Sequence, residues 1–349
     1  MLPLFLLACA APHHGGESAG ALDSTTTTAT TPDHYLLAGG NVVGVGPSDI
    51  EIAAGMIVSV LPAGTGPADL ARVDVAGSWV APGFIDSHVH LAYLPDAESL
   101  RAGGIAAVVD LAAPVGWLDD PLPMPSRRAG PMITALGGYP TQGWGYAGYG
   151  LEVADVSAAE AAVDQLVDAG ATVIKVPVGD EPALSAAQLA AVVARAHARG
   201  VKVVAHALSD AAVQAAAVAG VDVLAHTPPG ALSESTLEMW RGRAVITTLS
   251  AFGGRTTLAA LRAHDVTVLY GTDFGNTRAA GISATEIGDL LAAGLSPAEI
   301  QAAGTTTPAA YWGFSTLGSV APGQEARLVV LDADPTVDAT AWGRVVRSL

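Results

Sequence analysis

The sequence predicts an α/β protein: a (β/α)8 barrel with a small discontinuous β-sandwich domain formed by its N- and C-terminal segments. Three observations predict it. Eight apolar runs of strand length alternate with Ala-rich helical segments, short Val-rich strands crowd the region just before them, and one further strand-like run follows. The chain has 349 residues, half of them hydrophobic, which suits one large barrel and excludes disorder for its bulk.

The first segment stands apart. Leu2 to Ala8 is apolar and ends in Leu6-Leu7-Ala8-Cys9, where Cys9 is the single cysteine, and the stretch from Ala10 to Pro32 is small, polar and Thr-rich. Residues 1–8 are expected to be an export signal and 9–32 a disordered tether, with His13 and His14 part of that tether. The Leu-Leu-Ala-Cys box resembles a bacterial lipoprotein signal. That resemblance implies lipidation at Cys9, an exported cell-envelope protein on the periplasmic or outer-surface side, and membrane contact only through the anchor.

From residue 33 the runs Tyr35–Leu37, Asn41–Val45, Asp49–Ile52, Met56–Leu61 and Arg72–Val75 predict a small β unit over 33–81, since Gly and Pro separate them. The eight strands expected over 82–315 are Gly83–His90, Ile105–Leu111, Met132–Gly137, Thr172–Val178, Val201–Ala207, Val221–Thr227, Ala244–Ser250 and Val266–Phe274. Between them Ser157–Ala169, Ser185–Arg199 and Ser209–Ala219 each start at Ser and stop before Gly, as helices do. Ser283–Ala293, Ser296–Ala303 and Thr305–Tyr311 are expected to be helical too. Ala326–Asp332 is a last strand, and residues 316–349 should return to the N-terminal β unit.

Charge narrows the partners. With 33 acidic against 16 basic residues the net charge is −17, and no basic run offers a phosphate-binding face, so nucleic acid is not expected. Apolar stretches such as Ala211–Ala225 are broken by Gln214 and Asp222, short of the roughly 18 residues that span a bilayer. A small-molecule substrate is the expected partner, and self-association is left open.

Residues able to bind metal recur at one end of the expected strands. His88 and His90 close the first, Lys175 lies late in the fourth, His206 in the fifth, His226 in the sixth, and Asp273 closes the eighth. Those carboxyl ends converge on the face where barrel enzymes keep their active sites. Nine histidines give a His-x-His by chance about one time in four, so position must carry the case. Residues i and i+2 of a strand share a side, which lets His88 and His90 chelate one ion.

Lys175 is singled out by composition: 14 of the 16 basic residues are Arg, yet a Lys sits inside Thr172-Val173-Ile174-Lys175-Val176. Buried there, an ammonium is costly, and a neutral amine can react with carbon dioxide to give a carbamate, which Arg cannot. A snorkelling or ion-paired lysine is the alternative. His206 and His226 are ligands of a second ion or satisfied core histidines, and Asp273 a ligand and proton shuttle or a cap.

The order HxH, Lys, His, His, Asp resembles the amidohydrolase superfamily, specifically its binuclear, carboxylated-lysine subtype. Matching segments are Ala81-Pro82-Gly83-Phe84-Ile85-Asp86-Ser87-His88, Gly170-Ala171-Thr172-Val173-Ile174-Lys175-Val176 and Leu317-Gly318-Ser319-Val320-Ala321-Pro322-Gly323 running into Leu328-Val329-Val330-Leu331-Asp332. The likeness covers 33–349 and is greatest to imidazolonepropionase-related hydrolases and Xaa-Pro dipeptidases. It implies a TIM-like barrel, two divalent ions, zinc expected, and a CO2-derived carbamate on Lys175. His88, His90 and Asp273 would hold one ion and His206 and His226 the other, with Lys175 bridging. A metal-bridging hydroxide would attack and Asp273 would pass its proton to the leaving nitrogen. Lys175 and Asp273 are thus the catalytic candidates.

The chain departs from that group at Gly137-Gly138-Tyr139, where a Gly-Gly-His segment is expected, at Ala326-Arg327, where Ala-Asp is usual, and in its short tail after Arg344-Val345-Val346. Substrate contacts are sought in loops. Tyr139, Trp144, Tyr146 and Tyr149 are four of 18 aromatic residues packed into one loop, fit to wall an apolar group or to pack on itself. Arg255 and Arg278 follow the last two strands and could grip a carboxylate. The expected activity is hydrolysis of a C–N bond in an amide, dipeptide or cyclic amide. Esters, lactones or phosphotriesters are the alternative, and a tethered, non-catalytic binding protein a third.

Overall fold

The computed structural model describes residues 32–349, so the expected signal, Cys9 and all of the expected tether but Pro32 lie outside the described residues. The chain begins with β1 (His34–Val42), β2 (Gly46–Ala53), β3 (Met56–Pro62), β4 (Ala71–Asp74) and β5 (Trp79–Pro82). The expected runs Tyr35–Leu37 and Asn41–Val45 prove to be one strand. A bulge between Leu37 and Gly40 joins them, with Gly39 at φ +76 and its N–H donating to Asp49 Oδ1 at 2.9 Å. Before the bulge β1 pairs in parallel with β4, and after it with β5, so one strand serves two neighbours on the same side. Tyr35, Leu37, Val42, Ile50, Ile52, Ile57 and Val80 pack beneath as a core.

Next come β6 (Phe84–Val89), β7 (Ile105–Asp110), β8 (Ser126–Arg128), β9 (Met132–Ala135), β10 (Gly150–Val153), β11 (Val173–Pro177), β12 (Lys202–His206), β13 (Val223–Leu224), β14 (Ala244–Ile246) and β15 (Thr267–Leu269). Each of the eight expected runs contains a strand, and β8 and β10 are additions. The strands form three parallel ladders: β6–β7–β8, β9–β10 and β11 through β15. Backbone bonds link the ladders. Ser87 N donates to Tyr270 O at 2.9 Å, His90 N to Phe274 O at 2.7 Å and Thr172 N to Arg128 O at 2.9 Å, so β6 lies beside the segment that follows β15.

Helices Val156–Asp168, Ala186–Ala198 and Asp210–Ala219 occupy the expected connections. Ser185 caps the second through a capping box with Gln188, and Ser209 caps the third. The first is capped by Asp155, not Ser157: its carboxylate accepts from Ala158 N at 2.8 Å, which also sets negative charge against the helix's positive end. Helices Ala284–Ala292, Pro297–Gly304 and Thr306–Trp312 follow β15.

The last strands are β16 (Leu328–Leu331) and β17 (Val345–Ser348). β16 pairs antiparallel with β5, as expected of a segment returning to the N-terminal unit, and completes a seven-stranded sheet ordered β17-β16-β5-β1-β2-β3 with β4 on β1. Its alternation is two-sided: Leu328 and Val330 enter the core under β1, while Val329 and Leu331 face the core of the parallel ladders. The tail after Arg344 is therefore strand β17, which the sequence reading missed, along with β5.

Candidate metal centre

His88 and His90 project from the end of β6, and a buried brace holds that end. Asp86, fully buried, accepts from Thr272 Oγ1 at 2.6 Å, Thr272 N at 3.1 Å and His88 N at 3.1 Å, tying β6 to the turn that carries Asp273. Burial pushes its carboxyl up to about 7. Asp273 sits in the left-handed region at φ 57, which Asp tolerates better than most residues.

The three ligand candidates converge. His88 Nε2 lies 3.2 Å from His90 Nε2, and Asp273 Oδ1 is 3.4 Å from the first and 3.0 Å from the second. All three side chains are buried, and their ligand atoms fall within 4.8 Å of one another. His88 Nδ1 donates to Ala225 O at 2.8 Å, so in the neutral ring Nε2 carries the lone pair. Burial raises the Asp273 carboxyl, but the two imidazoles and Asn276 outweigh it and hold it at about 2. It is ionised throughout the neutral range.

Lys175, His206 and His226 complete the cluster. The ring of His226 is 4.6 Å from that of His88 and 4.9 Å from that of His206. Burial, with the Lys175 charge adding to it, pushes His206 down to about 3 and both His88 and His226 well below the usual imidazole range. Those three rings are thus neutral at pH 7, the form that binds metal. Burial also lowers the Lys175 amine to about 7, with the Asp273 charge opposing. Its Nζ has no hydrogen-bond partner among the described residues, nor does His90 Nδ1. Orphaned donor atoms amid neutral imidazoles and an ionised carboxylate are costly in an apolar interior, and they suit a centre that takes divalent ions.

Aromatic rings line the same cluster. Tyr139 stacks on His206 at 5.0 Å, and its hydroxyl accepts from Trp144 Nε1 at 2.9 Å. Trp144 lies 5.4 Å from the His90 ring and 5.3 Å from Tyr149. Tyr93 and Phe252, not foreseen from sequence, extend this wall: Tyr93 meets Trp144 at 5.6 Å and Phe252 meets His226 at 4.0 Å. Tyr93 stands three residues beyond His90, a proximity that could have flagged it.

Three expectations need correction or refinement. Tyr146 is 81% exposed and is not part of the wall, because the loop turns its ring to solvent. Arg255 does not offer a free guanidinium: its Nε donates to Asp289 Oδ1 at 3.0 Å, an internal ion pair. Arg278 is exposed, with its guanidinium 6.0 Å from the Tyr93 ring, which leaves it at the rim of the wall. Asp180 was also missed. Its Oδ2 lies 3.6 Å from His206 Nε2, and its place just beyond β11 is the only sequence signal that could have found it.

Known proteins share this fold. Among solved structures the chain is similar to a putative prolidase from Bifidobacterium longum, with TM-score 0.78, 24% identity and coverage of 91% of this chain and 93% of that one. It is similar to a Xaa-Pro dipeptidase solved with bound methionine at TM-score 0.77, 19% identity and coverage of 89% and 97%. A molinate hydrolase superposes at TM-score 0.72, 16% identity and coverage of 92% and 94%. These likenesses concern the fold.

Among curated proteins, 260 residues are 28% identical to an uncharacterized protein of Mycobacterium tuberculosis strain H37Rv, covering 60% of this chain and 68% of that protein. A stretch of 48 residues is 48% identical to the pterin deaminase of Rhizobium rhizogenes, which is 14% of this chain and only 11% of that enzyme's length. Residues 126–346, more than half of the chain and including Lys175, His206, His226 and Asp273, match the sequence profile of the amidohydrolase family. The chain belongs to that family.

Proposed function

We propose that the protein is a metal-dependent hydrolase of a C–N bond in an amide, a dipeptide or a cyclic amide. The observation that carries this reading is the approach of His88, His90 and Asp273 ligand atoms to within 4.8 Å, beside a buried Lys175 amine without a partner. Prolidases among the structural neighbours support the bond class.

In this reading His88, His90 and Asp273 would hold one ion and His206 and His226 a second, and Lys175, as its carbamate, would supply oxygen ligands to the pair. Zinc is the expected metal for an imidazole-rich set with one carboxylate. Two such ions would supply an acidified water as nucleophile and a polarised scissile carbonyl. The protein's own groups do the rest. Asp273, ionised at neutral pH, takes the proton of the attacking water and delivers it to the leaving nitrogen. Tyr139 and Trp144 wall the acyl or ring portion of the substrate and exclude bulk water from it. The near-neutral Lys175 amine has the free base needed to react with carbon dioxide.

The same reading makes the three parallel ladders arcs of one (β/α)8 barrel over 82–315, and residues 33–81 and 316–349 a discontinuous β-sandwich. The bonds from Ser87 and His90 to the segment after β15, and the fork of β1 at its bulge, support it. Export as a lipoprotein anchored at Cys9 rests on the sequence of residues 1–32, and the mass of the mature N-terminus tests it.

The test is a hydrolysis screen on residues 32–349 with added zinc or manganese, using dipeptides, N-acyl amino acids, lactams, lactones and phosphotriesters. Turnover of at least one C–N substrate is expected, with about two ions per chain. Lys175→Ala should drop activity below detection, and formate or acetate should restore part of it. Wild-type rates in that variant would remove the bridging lysine, and turnover of lactones or phosphotriesters alone would replace the bond class.

A further inference from the structure

The turn after β14 is built around a conformation that its residue disfavours. Thr248 has φ 41 and ψ 36, the left-handed region, where a β-branched side chain is a rare outlier. Such strain persists only where surrounding structure over-determines it. Here the surroundings are a buried carboxylate and a histidine.

Glu286, fully buried on the helix Ala284–Ala292, accepts from Leu249 N at 2.9 Å through Oε1 and from Ser250 N at 2.8 Å through Oε2. These are the first N–H groups of the short turn Leu249–Phe252, and Thr248 N itself donates to Gly271 O at 3.0 Å. The same helix carries Asp289, which pairs with Arg255 at the start of the next helix, so the segment 249–255 is held at both ends. Held this way, the turn presents two groups to one imidazole. Thr248 Oγ1 lies 3.1 Å from His226 Nδ1, and the Phe252 ring covers a face of His226 at 4.0 Å.

We infer that Thr248 and Glu286 are positioning residues that lock His226 in the tautomer whose Nδ1–H donates to the Thr248 hydroxyl, leaving Nε2 as the atom available to a metal. The Ala225 carbonyl, which can only accept, holds His88 in that tautomer, and with the Thr248 hydroxyl accepting from His226 in the same sense the two rings, 4.6 Å apart, would both offer Nε2. A histidine whose free nitrogen is fixed by a partner is a better-oriented ligand, and loss of such a partner commonly weakens metal affinity 10- to 100-fold. The inference rests on the reading of His226 as a ligand, but the tautomer exists without any ion.

Thr248→Gly tests it without the usual penalty, because Gly adopts φ > 0 freely and the turn keeps both bonds to Glu286. The tautomer is read in metal-free, 15N-histidine-labelled protein from long-range 1H–15N couplings, with the His226 signals assigned by their loss in His226→Gln. Unsubstituted protein should show Nε2 unprotonated. Thr248→Gly should stay folded, yet show mixed tautomers and bind the weaker of two zinc ions about 10- to 100-fold less tightly against a chromophoric chelator. Thr248→Ser should restore both readouts. Unsubstituted protein with Nδ1 unprotonated, or Thr248→Gly with tautomer and affinity unchanged, would overturn the inference. Failure of the hydrolysis screen leaves the tautomer measurement standing, so the two readings fail separately.

Discussion

Asp110 shows how the interior holds a carboxyl group close to its neutral form. It is fully buried and accepts from Leu91 N at 3.1 Å, Ala112 N at 3.4 Å and Trp117 Nε1 at 3.2 Å, yet burial still pushes it up to about 6. A folded pKa above the unfolded value near 3.8 means that the folded state binds more protons between about pH 4 and 6. Its contribution is therefore complete below about pH 4 and lost as pH rises through 6, a swing on the order of 3 kcal/mol. Asp110→Asn should remove that swing. In urea titrations of chelator-treated protein, wild type should lose stability relative to the variant between pH 4 and 6.5; a constant difference would show that Asp110 does not titrate in this range.

At the scale of elements, the His88, His90 and Asp273 cluster depends on how closely the strand ends approach. A Cβ built on Gly271 would meet Ile246 Cγ2 at 2.4 Å and His88 Cβ at 3.2 Å, so β14, the end of β6 and the turn bearing Asp273 are close-packed around a missing side chain. Gly271→Ala must displace a fully buried isoleucine or His88. A loss of about 1–3 kcal/mol is expected, together with weaker zinc binding than a distant variant of equal stability. Unchanged affinity would mean that the strain relaxes entirely toward β14. Chain ends of helices show a related economy: Asp155 displaces Ser157 as cap because its backbone is extended where the helix begins, while Ser157 already lies inside the first turn.

For the whole molecule, the cluster would be a local liability inside an otherwise well-packed interior when no ion is bound. Neutral imidazoles, an ionised Asp273 and an unpartnered Lys175 amine are buried together, and ions that bind only the folded state would stabilise the chain by mass action. At 100 times its dissociation constant, zinc should add about 2.7 kcal/mol. For a protein of this size that corresponds to a rise in Tm of roughly 4 °C. Calorimetry should show the rise in the chelator-treated protein on adding zinc and none in His88→Ala/His90→Ala. A rise of the same size in that double variant would place the stabilising ion elsewhere. The pairing of β16 with β5 makes the effect global, since it binds the last segment of the chain to the first.

The sequence alone was enough to place a strand in each of the eight expected runs, to return Ala326–Asp332 to the N-terminal sheet, and to single out the six side chains that are proposed as metal ligands. Strand period, helix caps and position at a strand end are local properties, so His88, His90, Lys175, His206, His226 and Asp273 could each be placed without knowing any neighbour. Tertiary structure decided what depends on partners distant in sequence. Arg255 is claimed by Asp289, 34 residues away, Thr248 meets His226 across 22, and Glu286 reaches Leu249 across 37. The bulge that merges two expected strands into β1 is likewise set by Asp49 reaching back to Gly39. Residue type and spacing fix which face or end a side chain occupies, but the free energy of a buried charge is set by whatever the fold brings within hydrogen-bonding distance.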